Sequence, residues 1–170
     1  MSVRKIVMLD FDGVINRVSK QGYYLSSPVE PQIERKLALR VGGMVERLNA
    51  SVVVSSDWRH NYTLEELRRF LQNYGGIPTR RVLGVTENGW VRGEEIQNWL
   101  KGMGEPVRLA ILDDNHEGRF SMDGVRDWFV KTTPEKGVSE ANITAASKLL
   151  TTGPIYSVQS VAEELELTNA

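Results

Sequence analysis

Ile6-Val7-Met8-Leu9-Asp10-Phe11-Asp12-Gly13 decides the fold of this chain. Four consecutive apolar residues are too few for a helix, and they suit a strand buried on both faces, as in a parallel sheet. The run stops at two carboxylates separated by one residue, followed by a glycine that suits a turn. In open α/β sheets, ligands bind at the carboxyl ends of strands. Two later segments repeat the grammar: Val52-Val53-Val54 ends in Ser55-Ser56, and Leu109-Ala110-Ile111-Leu112 ends in Asp113-Asp114. If the three runs pair in parallel, their polar ends converge on one cleft.

Outward from these runs, strand-like and helix-like segments alternate, which predicts a Rossmann-like α/β fold: a parallel sheet with helices on both faces. The first strand is expected at Lys5–Leu9, followed by a loop rich in Gly, Ser and Pro from Asn16 to Pro31. Leu37, Val41, Met44, Val45 and Leu48 recur at helical spacing. Gly42-Gly43 either weakens that helix or lets another element pack close. Thr63 and Glu66 read as a capping box, and Gly75-Gly76 as the stop of the helix it opens. Val82–Thr86 reads as a short strand, Glu94–Lys101 as a helix and Trp128–Thr132 as a late strand. Ser139 can cap a last long helix. Val158, Val161, Ala162 and Leu165 suggest a short acidic helix in the tail. With no repeat and no low-complexity linker, one domain is expected over 1–170, its core at about 5–150 and a helical tail at 151–170.

Composition narrows the function. The 170 residues carry a formal net charge of −1, so no bulk basic field draws the chain to nucleic acid or to anionic membrane. Without cysteine there are no disulfides and no thiolate metal sites, and the two histidines, His60 and His116, are too few for a His-rich zinc centre. No stretch approaches transmembrane length, and Asp10 and Asp12 interrupt the apolar start that a secretory signal needs. A cytoplasmic, membrane-free setting is the expectation.

Asp10 and Asp12 are too close to ionise together cheaply unless a cation lies near them, and Asp113 and Asp114 add negative charge at the same sheet end. An all-oxygen cluster prefers a hard divalent ion, and Mg²⁺ suits a site where phosphate supplies further oxygens. One carboxylate can attack phosphorus to form an aspartyl-phosphate, and a second can protonate the leaving oxygen and then activate water. Phosphoryl transfer otherwise needs positioning and charge neutralisation. The Ser55 hydroxyl, nearby backbone N–H groups and one Arg or Lys can supply both.

On these residues the chain resembles the haloacid dehalogenase (HAD) superfamily of Asp-dependent phosphohydrolases. An apolar strand followed by Asp-x-Asp-Gly fits Ile6–Val14, a strand ending in Ser or Thr fits Ser55, and a strand ending in an acidic pair fits Asp113-Asp114. The resemblance covers roughly Lys5 to Leu150. Ser55-Ser56-Asp57-Trp58-Arg59 and the stretch Arg92 to Leu100 are similar to a subgroup found in RNA-repair proteins, related to the phosphatase domain of polynucleotide kinase-phosphatases.

The resemblance implies roles. Asp10 is the nucleophile and a metal ligand. Asp12 is the general acid/base, with its main-chain carbonyl on the metal. Ser55 binds the transferring phosphoryl group, helped by the Ser56 backbone. Gly13 is a further candidate on the substrate side, and so is Arg59 by its place after the serines, where a solvated loop position stays open as the alternative. Asp113 and Asp114 complete the Mg²⁺ set, and which of the two is the ligand stays open. The third motif, a lone cation at a helix start, admits Arg92, Lys101 or Arg108. Arg92 is preferred because a helix N-terminus near the cleft adds its own positive field. Gly13 to Ala50 and Asp57 to Trp90 are too short to hold a large cap domain, and uncapped relatives act on nucleic-acid ends or phosphoproteins.

The expected function is therefore Mg²⁺-dependent phosphomonoester hydrolysis, with a nucleic-acid terminal phosphate as the favoured substrate. A small-molecule or nucleotide phosphatase is the first alternative. A phospho-accepting or binding module without turnover is the second. In response-regulator receivers the acidic pair ends the first strand, whereas here Asp-x-Asp comes first, which disfavours that version. Simpler readings apply to several neighbours: Asp57 as a cap, Trp58 as packing under its loop, His60 and Arg80-Arg81 as solvated, and Trp90, Trp99 and Trp128 as core or core edge. Tyr23 and Tyr24 lie in a loop that forms a flap in relatives, where a stacking role is open.

Overall fold

The computed structural model describes residues 2–25 and 29–159. The elements run β1 (Arg4–Leu9), α1 (Arg35–Leu48), β2 (Ser51–Val54), α2 (Leu64–Gly75), β3 (Val82–Val85), α3 (Arg92–Met103), β4 (Val107–Asp113), β5 (Phe129–Lys131), α4 (Glu140–Thr152) and β6 (Ile155–Tyr156). The acidic tail helix expected beyond Ser157 falls largely at 160–170, outside the described residues.

The sheet order is β3-β2-β1-β4-β5, and every neighbouring pair along it is parallel. The parallel sheet is as expected, and one short strand is added to it that the sequence does not announce. β6 pairs antiparallel with Val107 and Arg108, on the part of β4 that β5 leaves uncovered. Two residues are too short to show periodicity. The strand is held instead by Tyr156 against Trp128, whose indole N–H donates to the Pro154 carbonyl.

The apolar runs are buried on both faces because helices cover both. Val7, Leu9, Val52, Val54, Ala110 and Leu112 face the layer of α1, α2 and α4. Ile6, Met8, Val53, Leu109 and Ile111 face α3 and the segment from Met122 to Trp128. This alternation is the period of two that a pleated strand imposes. Gly42 is the point of close approach. A Cβ there would run into the Gly75 carbonyl oxygen, so α1 and α2 cross backbone to backbone. The expected capping boxes form at Thr63/Glu66 and Ser139/Asn142.

The tryptophans divide. Trp128 is buried and Trp99 is half-buried, as expected, but Trp90 is 89% exposed, which corrects its assignment to the core or its edge. No helix of the described residues is long and apolar enough to cross a membrane.

Register is what builds a site. Leu9 lies opposite both Val54 and Leu112, so Asp10, Ser55 and Asp113 follow at one level. The ladder continues one step beyond the strands: Asp10 N–H donates to Leu112 O, Ser55 N–H to Leu9 O, Thr86 N–H to Val54 O and Thr132 N–H to Asp113 O. All five parallel strands thus end in a polar residue at the same edge.

Candidate active site

Beyond β1 the chain must turn sharply, and Gly13 makes this possible with φ +73°. That conformation strains any residue with a side chain, and a Cβ here would also run into the Asp114 carboxylate. The turn is fixed from two sides. The Gly13 N–H donates to Asn16 Oδ1 at 2.9 Å, and the Thr132 hydroxyl donates to the Gly13 carbonyl at 2.7 Å.

The first acidic group, Asp10, is buried, with one carboxylate oxygen accepting from the Phe11 N–H at 2.8 Å. The second, Asp12, is half-buried, and its Oδ1 accepts two hydrogen bonds of 2.9 Å, from Asn16 Nδ2 and from the Trp58 indole. Because Gly13 claims the Asn16 carbonyl oxygen, the amide's NH₂ is left to face Asp12. The Asp12 side chain is thereby held by neutral donors, with its other oxygen outside these bonds.

Oxygens of Asp10, Asp113 and Asp114 lie within 4.8 Å of one another. Burial, with the nearby Asp114 and Asp12 charges adding to it, lifts Asp10 from its ordinary 3.8 to about 7, against the pull of Arg92 and a hydrogen bond from Ser56. Burial and the Asp10 charge hold Asp113 well above the usual carboxylate range, and burial raises Asp114 as well. Crowded, partly desolvated carboxylates of this kind are short of positive charge. Their all-oxygen donor set fits a hard divalent cation.

Of the three candidate cations, the fold brings Arg92 to the cluster. It is the first residue of α3, buried, with Nε 3.5 Å from Asp113 Oδ2. Burial works against its charge, but Asp10, Asp113, Glu95 and Asp57 outweigh that and raise its pKa. Arg108 is turned to the other end of β4, donating to the Gly153 carbonyl, and Lys101 is exposed on the last turn of α3. Asp57, expected as a cap, instead pairs with Arg92 at 3.4 Å and with Arg119.

Ser55 Oγ is buried and has no hydrogen-bond partner among the described residues. An orphaned hydroxyl is costly unless something else completes it. Ser56 is occupied: its hydroxyl accepts from Trp58 N–H and bonds Asp10. Arg59 is occupied too. Its guanidinium pairs with Glu95 at 2.9 Å and donates to the Ser56 carbonyl, Thr86 and Asn88. Burial lowers its pKa, with Glu95 opposing. Glu95 links the two arginines, since its second oxygen lies 3.4 Å from Arg92. His60 is exposed. Tyr24 comes close enough to Asp12 for burial and that carboxylate to raise its phenol pKa, which places the loop after β1 beside the cluster.

Asn16, Glu95, Thr132 and the Asp12-holding role of Trp58 carry no motif in the sequence. Two had a local signal: Asn16 stands four residues after Asp12, and Arg92 and Glu95 are spaced as an i,i+3 pair on one helix face. Trp58 and Thr132 reach the site only through tertiary contact.

A parallel sheet with carboxylates at the ends of β1 and β4, a buried hydroxyl at β2 and a cation at the start of α3 defines a HAD-type hydrolase class. A family model described as "HAD domain in Swiss Army Knife RNA repair proteins" matches residues 6–143, and the chain belongs to that family. Membership supports phosphatase activity in general. No curated protein and no solved structure matches the chain.

Proposed function

We propose that this protein is a Mg²⁺-dependent phosphomonoesterase that works through an aspartyl-phosphate and releases a terminal phosphate from nucleic acid. The observation that carries the reading is the cluster of Asp10, Asp113 and Asp114 oxygens within 4.8 Å, set at strand ends level with the Ser55 hydroxyl, which has no partner among the described residues.

In this reading the Asp10 oxygen not held by Phe11 attacks phosphorus, and the bond from phosphorus to the ester oxygen breaks. Asp12, steadied by Asn16 and Trp58, gives its proton to the departing alkoxide. It then takes a proton from the water that attacks the phosphorus of the aspartyl-phosphate, which frees inorganic phosphate and restores Asp10. Ser55 Oγ donates to a phosphoryl oxygen and so gains the partner it lacks, while the Ser56 N–H and the Gly13 turn shape the same slot. Arg92 balances charge beside Asp113. Arg59 acts at one remove: it fixes Glu95, which fixes Arg92. Asp10, Asp113, Asp114 and the Asp12 main-chain carbonyl would hold Mg²⁺, which supplies charge neutralisation for the phosphoryl group.

Two things support a nucleic-acid end over a small metabolite. The family is described from RNA repair proteins. The segments between the motifs contain, among the described residues, only loops, turns, α1, α2 and β3, which leaves the cleft without a large cap.

The test is a screen of phosphate release from oligonucleotide 3′ and 5′ ends, mononucleotides, sugar phosphates, phosphopeptides and an aryl phosphate, with Asp10→Asn as the blank. Release from oligonucleotide ends, reduced by at least about 10⁴-fold in Asp10→Asn, is expected. Activity retained by Asp10→Asn removes the covalent step. A preference for mononucleotides or sugar phosphates removes the nucleic-acid substrate.

A further inference from the structure

The exposed aromatic side chains are not spread over the surface. Among the described residues, the Phe, Trp and Tyr side chains that reach furthest into solvent are Trp90 at 89% and Tyr23 at 73%, followed by Tyr24, which is more than half covered at 38%. Tyr23 and Tyr24 belong to the loop that leaves the carboxyl end of β1, and Trp90 to the loop that leaves the carboxyl end of β3. Both loops emerge at the edge that carries Asp10, Ser55 and Asp113. A single exposed apolar side chain is ordinary on a protein surface, but this indole stands on a loop that leaves the sheet at the edge carrying the catalytic groups.

Trp90 is exposed but its backbone is not loose. Its N–H donates to Glu94 at 2.9 Å and the Gly89 N–H donates to Glu95 at 3.2 Å. Glu95 in turn holds Arg59 and Arg92, and Arg92 lies against Asp113. The indole is therefore mounted on the helix start that supplies the site's buried cation, two residues before it. Among the described residues, its ring meets neither another aromatic ring nor a cation. A flat apolar face left in water, on a loop whose backbone is tethered two residues before the site's buried cation, offers a stacking surface.

We propose that Trp90 is a specificity-determining residue that stacks the nucleobase attached to the scissile phosphate, and that the substrate is consequently an unpaired, single-stranded end. The proposal rests on the nucleic-acid reading of the site. A base stacked on Trp90 has left its own helix, so a blunt duplex end must open before it can be used, and a free strand end need not. Base identity matters little, because every base offers a π-face.

The test crosses a substrate change with a protein change. Oligonucleotides bearing the phosphate on a normal or an abasic terminal nucleotide are compared in the wild type, Trp90→Ala and Trp90→Phe. The wild type is expected to favour the base-bearing end about tenfold in kcat/KM, mostly through KM, and single-stranded over blunt duplex ends. Trp90→Ala is expected to erase both preferences and Trp90→Phe to restore part of them. An indole this exposed packs against little, so its loss leaves the fold intact.

Binding of a fluorescent single-stranded oligonucleotide to Asp10→Asn, with and without Trp90→Ala, gives a second measurement that needs no turnover. A weakening of about tenfold supports stacking. Equal binding, or an unchanged preference for the base-bearing end in Trp90→Ala, overturns it and leaves the indole as a contact for a protein partner. Phosphate release from aryl phosphate and not from oligonucleotides defeats the substrate reading, while oligonucleotide turnover indifferent to Trp90 defeats this proposal alone.

Discussion

The two ends of the sheet are built from the same strands and treat charge in opposite ways. At the amino end the cations are satisfied. Arg4 pairs with Glu105 at 3.0 Å, Lys5 donates to the Leu48 carbonyl at the end of α1, and Arg81 donates to Ala50 O and Asn49 Oδ1. There is a groove there of about 440 Å³, but the charged groups lining it already have partners. At the carboxyl end, Asp10, Asp113 and Asp114 crowd together, Arg92 is the buried cation against them, and Ser55 Oγ has no partner among the described residues. Crowded, strained groups of this kind concentrate at functional sites, so the contrast points to the carboxyl end without reference to any motif.

The sharpest break of the contrast is at Asp12. Asp12→Asn keeps a side chain of the same shape for the Trp58 and Asn16 contacts but cannot exchange the proton. Turnover of an aryl phosphate should fall by about 10²–10⁴-fold, and both formation and breakdown of the phosphorylated protein should slow. Rapid-quench measurement of both phases checks this. Unchanged kinetics would reduce Asp12 to a structural residue.

The carboxylate cluster also makes a statement about stability. Asp10 titrates near 7 in the folded metal-free protein and at 3.8 in the unfolded chain, and Asp113 and Asp114 are shifted in the same direction. A group whose folded pKa is raised binds protons more tightly when folded. Its contribution is therefore present below pH 3.8 and is lost as pH rises through about 7. A divalent cation at the cluster compensates the unfavourable charge at high pH and competes with protons at low pH. EDTA should stop turnover and Mg²⁺ restore it. Saturating Mg²⁺ should raise Tm by about 5 °C at pH 8 and by much less at pH 5. Equal gains at the two pH values, read by calorimetry, would separate the cluster from metal binding.

The frustrated end was also the legible one, for a physical reason. β1, β2 and β4 are buried on both faces, so each is an unbroken apolar run, and a polar residue directly after such a run marks where the strand leaves the core. The capping boxes of α2 and α4 are local bonds between residues three apart, and so they are visible too. What was hidden depends on contacts distant in sequence. The bond from Trp58 to Asp12 spans 46 positions, and the one from Thr132 to Gly13 spans 119. Arg92, Lys101 and Arg108 look alike in one dimension, and only the helix start and strand register separate them. Trp90 ran against expectation because tryptophan is ordinarily drawn to a core, and nothing in its neighbours' hydropathy says that this one is held out.

The amino end supplies the smallest effect and the control. Arg81→Ala removes hydrogen bonds to the Ala50 carbonyl and to Asn49, at a turn where Asn49 already adopts the left-handed conformation with φ 53°. The Ala50 residue is buried, so its carbonyl loses a partner that water replaces poorly. A loss of about 1 kcal/mol in denaturant unfolding is expected, with kcat/KM for the aryl phosphate unchanged. The two measurements must part in this variant, because Arg81 touches the start of the sheet and the reacting groups sit at its finish. A fall in kcat/KM comparable to that of a carboxyl-end variant would mean that the strands transmit disturbance along their length, and that the division of the sheet into a satisfied end and a reactive one does not hold.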